Sequence, residues 1–166
     1  MDVLKDDETS VENAIKTSFD LMIQAEHKEA FVLMSVFPGP FKSDAAEAVM
    51  EACSIPGTVP GSILRSLKNR SLLEQPRPRI YQMHPLIQAL AKKIGEAEYP
   101  DLVAAGQKLA CAHFMSCLAE NANRYWNKDS CRESVEAFSA NRHNLESFLQ
   151  IYAQGREQED CNLKES

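Results

Sequence analysis

The chain has 166 residues, enough for one ordinary domain or two small ones. Apolar residues make up 44% of it, which can support a core, yet no apolar run reaches the roughly 20 residues of a membrane span. A net charge of −6 and five scattered cysteines without a CxxC speak against a general nucleic-acid binder, a disulfide framework and a zinc site.

The cysteines, at positions 53, 111, 117, 131 and 161, are expected to be reduced thiols in a cytoplasmic protein. The opening MDVLKDDETS is acidic and lacks the basic start and apolar run of a secretory signal. Thr9-Ser10-Val11-Glu12 is a capping-box pattern, and Val11, Ile15, Phe19 and Met22 follow at helical spacing, so a first helix is predicted over about 10–24. Glu26 to Glu29 start a second, carried through Phe31, Val32, Met34 and Val36 and stopped by Phe37-Pro38-Gly39-Pro40. Ser43 or Asp44 is placed to cap a third, with Ala45, Ala48, Val49 and Ala52 facing inward. Residues 55–61 form a connector rich in Pro and Gly.

The next stretch, from Ser62 to Ile94, reads as helix, strand, turn, strand, helix. Ile63, Leu64 and Leu67 recur at helical spacing within a helix over about 61–70, with Arg65, Lys68 and Asn69 on its other face. Ser71 to Glu74 is short and apolar enough for a strand. Pro76-Arg77-Pro78-Arg79 is read as the turn, and Ile80-Tyr81-Gln82-Met83 as the returning strand. His84-Pro85 opens a further helix, whose buried stripe is expected at Leu86, Leu90 and Ile94 beside Ile87 and Ala91. Helices feeding a two-stranded hairpin are the layout of a winged helix, assigned to residues 8–96.

After a turn at Tyr99-Pro100-Asp101, a three-helix segment is predicted over 99–154. Its first helix runs about 101–124, with Leu102, Leu109, Phe114, Cys117 and Leu118 available for burial. A corner at 125–129 follows. Then come helices at about 130–139, using Val135 and Phe138, and 141–153, using Leu145, Phe148, Leu149 and Tyr152. Residues 155–166 carry charge without apolar spacing and read as a disordered tail. The fold class expected is therefore mostly α: a winged-helix domain followed by a helical segment that could open a helical-repeat array.

Residues 65–93 hold seven bases and one acid, a local charge of +6, while the remainder carries −12. Two uses of the basic stretch are open. A DNA-binding winged helix would read bases with Arg65, Lys68, Asn69 and Arg70 and touch phosphates with Arg77 and Arg79. Alternatively, the basic face meets acidic protein surface. His113 and Cys117, four apart on one helix, can touch, but such a pair is more often packing than a nucleophile with its base. Tyr125 and Trp126 are candidate aromatic anchors for a partner protein, although large aromatics at a helix corner usually fill the gap between helices.

With these elements laid out, the chain resembles the winged-helix region of STAND-type signalling NTPases, the NB-ARC group. Plant disease-resistance proteins of innate immunity and the apoptosome scaffolds that regulate apoptosis belong to it. The resemblance rests on AFVLMSVFPGPF (30–41), Asp44-Ala45-Ala46-Glu47-Ala48-Val49, Leu67 to Leu73 and Tyr81-Gln82-Met83-His84-Pro85-Leu86-Ile87. It covers about residues 10–95, and SANRHNLESFLQIY (139–152) is similar in composition to the start of the linker to sensor repeats. It implies a non-catalytic regulatory module that packs on a nucleotide-binding domain and stabilises the ADP-bound inactive state. In the family a Met-His-Asp motif approaches the terminal phosphate of ADP. Met83 and His84 match it, and Pro85 stands where the plant-type motif has aspartate. No GxxxxGK[ST] loop occurs in the chain. The fragment alone is therefore expected to bind no cofactor and to be no enzyme, ADP or ATP being held by the nucleotide domain of an intact parent. Expected partners are that domain, other proteins through the terminal helices and, less so, nucleic acid, with no membrane.

Overall fold

A computed structural model describes residues 13–22, 24–55, 59–127 and 129–164, with side chains through Ile151. The capping pattern at Thr9–Glu12 and residues 56–58 of the connector lie outside the described residues. The chain divides into two compact units, Met1–Ala110 and Cys111–Ser166.

The first unit is mostly helical around a small sheet. Its elements are α1 (13–20), α2 (Ala25–Met34), β1 (Phe41–Lys42), α3 (Ser43–Ala52), α4 (Pro60–Asn69), β2 (Glu74–Arg77), β3 (Ile80–Gln82), α5 (Pro85–Glu98) and the start of α6 (Pro100–Tyr125). α2 is the centre. Ala30, Phe31, Val32, Leu33 and Met34 are all fully buried, so its second half is enclosed on every side. α3, α4 and α5 all pack against it. Phe19 of α1 meets Phe31 with ring centroids 5.6 Å apart.

The sheet has three antiparallel strands in the order β1-β3-β2, where only a two-stranded hairpin was expected. The additional strand is two residues long, too short to show periodicity. Phe41 pairs with Tyr81 and Lys42 with Ile80. Phe41 is buried and stacks on Phe37 at 4.3 Å, so packing rather than strand propensity holds it there.

The first strand of the hairpin begins three residues later than predicted, whereas the second begins at Ile80 as expected. Ser71, Leu72 and Leu73 are not a strand. Ser71 adopts a left-handed φ of 59°. Its amide donates to the Lys68 carbonyl (2.9 Å) and the Leu72 amide to the Leu67 carbonyl (3.0 Å). This is the two-bond wrap that closes a helix C-terminus, built on serine instead of glycine. It tucks Leu72 and Leu73 into the core. The same closure ends α3, where Ser54 has φ 54°, with Ser54 to Glu51 at 3.0 Å and Ile55 to Met50 at 3.4 Å. Pro76 then lies inside β2 rather than in the turn, which is Pro78-Arg79 alone. A proline is tolerated there because β2 is an edge strand whose pairing is irregular between Glu74 and Arg77.

The cap expected of Ser43 or Asp44 is absent. Lys42 is the N-cap residue and makes no side-chain cap bond. α5 also departs from its predicted stripe. Leu90, Ala91 and Ile94 are buried, but Leu86 is 39% exposed.

The second unit comprises the rest of α6 and α7 (Cys131–Lys164). Phe114 packs on Phe148 at 5.8 Å, and both are buried with Leu145. Arg124 Nη2 donates to Glu133 Oε2 (2.8 Å) and the Ser134 hydroxyl to the Asn121 carbonyl, joining the two helices. Two helices therefore replace the expected three. Residues 139–141 contain no breaker, so α7 continues through them. It also continues through Gly155 to Lys164, where a disordered tail was expected; residues 165–166 lie outside the described range. By length and composition α6 meets the measure of a membrane span, with mean hydropathy 1.2 over its most apolar window. Within the first unit it buries Val103 and Ala110, and 22% of that window is buried.

Candidate functional site

Met83-His84 forms the junction between β3 and α5. His84 is the N-cap residue of α5, with φ −60° and ψ 140°, and Pro85 takes the first helical position, where its missing amide costs nothing. The His84 Nδ1 accepts from the Leu86 amide at 3.3 Å. The capping role weighed for this histidine is therefore present. It has a chemical consequence. An accepting Nδ1 puts the proton of the neutral ring on Nε2, leaving that nitrogen as a donor. His84, Pro85 and Leu86 are all exposed.

The junction is held from beneath by Gln88, which pattern reading passed over. Its side-chain amide donates to the carbonyls of Phe37 (2.6 Å) and Ser35 (3.3 Å), past the end of α2. A polar residue in an otherwise half-apolar stripe was the only available signal. One turn before its end, α5 approaches α2 at Gly95. A Cβ there would lie 2.7 Å from both Val32 Cγ1 and Val103 Cγ2.

The six candidate contact residues of the helix and hairpin separate into two groups. Arg65, Lys68, Asn69 and Arg70 are exposed at the C-terminal end of α4, and Lys68 Nζ donates to Gln75 Oε1 at 2.9 Å. Arg77 is exposed on β2. Arg79 differs. It holds a left-handed φ of 63° in the hairpin turn, its carbonyl accepts from the Ser43 amide (2.8 Å), and its guanidinium pairs with Asp44. Desolvation pushes the Asp44 carboxyl up, but the Ser43 hydroxyl and the Arg79 guanidinium outweigh it, and the carboxyl sits below its ordinary value. Arg79 is thus engaged with the first turn of α3, unlike the other five.

Cys117 Sγ lies 3.7 Å from His113 Nε2, so the contact anticipated along α6 forms. Burial pushes the Cys53 thiol up, away from the reactive thiolate. Among the described residues, no group of three or more His, Cys, Asp or Glu side chains converges to hold a metal ion.

Tyr125 and Trp126 do not fill a gap between helices, as corner aromatics usually do. They are 48% and 84% exposed, with rings edge-to-face at 5.5 Å. With Leu118, Ala122, Val135 and Phe138 they line a groove of about 350 Å³ in the second unit. Val135, Phe138 and Leu149, expected in the core, are about half exposed, since within the second unit the described part of α7 packs against α6 alone.

In comparisons with protein-family models, curated proteins and solved structures, the chain matches none.

Proposed function

We propose that this chain is a non-catalytic regulatory module of a STAND-type nucleotide-binding protein. Its first unit is read as a winged helix that packs on the nucleotide domain and favours the ADP-bound state. The observation that carries this reading is His84. Its Nδ1 is occupied by the Leu86 amide, so the neutral ring offers Nε2–H to an anionic oxygen, the chemistry that the family's histidine uses toward phosphate. The element order supports it too. Two helices precede a short strand, two more separate that strand from a hairpin, and the strand pairs with the hairpin's second member, as in winged helices. The exposed Leu86 next to His84 supplies an apolar contact for the same partner face. The mechanism is a two-state domain interface biased by the nucleotide it touches.

The test is His84→Ala in the intact nucleotide-binding parent. Loss of one hydrogen bond to a charged group is worth roughly 1.5–3 kcal/mol, so ADP release should quicken about tenfold or more. An unchanged release rate overturns the reading.

A second reading, a DNA-binding winged helix, is favoured by the exposed Arg65, Lys68 and Asn69 on α4 and Arg70 at its C-cap, with Arg77 nearby in sequence on β2. The pairing of Arg79 with Asp44 removes one wing cation from it. Salt-dependent duplex binding lost in an Arg65→Ala/Lys68→Ala variant would establish this reading, and no binding at moderate salt would dismiss it.

A further inference from the structure

We infer that α7 is a self-association surface, on which a second copy of this chain packs its own α7 antiparallel about a two-fold axis at Ser139. The inference goes beyond the regulatory reading and does not depend on it. α7 buries Asn144, Leu145 and Phe148 and leaves Val135, Phe138 and Leu149 about half exposed on the adjoining flank. The spacing of those three, three residues and then eleven, follows the seven-residue repeat by which one helix receives another. Val135 and Phe138 also form one wall of the groove that ends at Tyr125 and Trp126.

Charge selects the occupant. Arg132, Ser139 and Glu146 are seven residues apart, hence on one line beside the apolar stripe, and all three are exposed. Read forward the line is basic, small, acidic. Read backward it is acidic, small, basic. Antiparallel pairing centred on Ser139 therefore sets Arg132 opposite Glu146 of the second copy, and does so twice. Parallel pairing would set Arg132 against Arg132. A self-complementary order is what an isologous two-fold contact requires, and an unrelated helix has no need of it. Each of these charges already has a partner four residues away. Arg132 Nε lies 3.1 Å from Glu136 Oε1, and Arg142 Nε 2.6 Å from Glu146 Oε1. The contact would merge these pairs into a four-charge cluster at each end, with small Ser139 letting the helices approach at the axis.

Sedimentation equilibrium of the 166-residue chain tests this. A monomer–dimer equilibrium that weakens with added salt is expected. Arg132→Glu and Glu146→Arg, each alone, should weaken dimerisation roughly tenfold, because each creates two like-charge contacts per dimer. The combined Arg132→Glu/Glu146→Arg variant should restore it. Phe138→Glu should abolish it, with circular dichroism showing the helices retained. A chain that stays monomeric at the highest concentration reached overturns the inference. So does a dimer indifferent to the single reversals, or a combined variant no better than either, or a larger assembly.

Discussion

Arg79 occupies a backbone region that costs a residue with a side chain about 1–3 kcal/mol. Two contacts hold it there: its carbonyl takes the Ser43 amide, and its guanidinium takes Asp44. The Asp44 carboxyl is held below its ordinary value, so its contribution to stability is present above the unfolded-state value and is lost as pH falls through the folded one. Both side chains are more than half exposed, so the pair is worth less than about 1 kcal/mol. Asp44→Asn should therefore lower the urea midpoint slightly at pH 7. The difference from wild type should close below a pH of about 4, where the wild-type carboxylate is being protonated. A difference that persists at pH 2 would mean that shape, not charge, holds the turn.

The helices were legible in the sequence wherever one face repeats, as with Ile63, Leu64 and Leu67 or Leu90 and Ile94. The closures of α3 and α4 were not, because Ser54 and Ser71 adopt the left-handed conformation that sequence patterns assign to glycine, although α4 itself ends within a residue of its predicted limit. The first hairpin strand therefore starts later than its pattern suggests, since Leu72 and Leu73 look like a strand but are buried in the core after the helix end. Of the candidate site, the junction at Met83-His84 was legible, but the hold of Gln88 on two carbonyls depends on residues more than fifty positions earlier. No local pattern encodes a pairing at that distance. One glycine that matters is Gly95, where α5, α2 and the start of α6 converge. Gly95→Ala gains roughly 1 kcal/mol of helix propensity but overpacks the contact with Val32 and Val103 at a cost of about 1–3 kcal/mol. A lower melting temperature is expected. A higher one would mean that the two valines can move aside.

At the scale of the whole chain, the two units are unequal in core. The first encloses the second half of α2 completely, whereas the second rests on Phe114, Leu145 and Phe148 between two helices. Phe148→Ala, a loss of about 3–5 kcal/mol, should strip hydrogen-exchange protection from amides after Cys111 and leave those of α2 protected. Simultaneous loss in both would mean that the chain unfolds as one body. The bareness of the second unit contrasts with the sheet of the first. β2 forms one margin of that sheet and carries Pro76, which has no amide to offer a neighbouring chain. β1 forms the other margin and is two residues long. Among the described residues, neither margin of this sheet offers a long unbroken run of amides to an added strand, so the apolar helix surface is exposed beside sheet edges poorly suited to seeding fibrous aggregation.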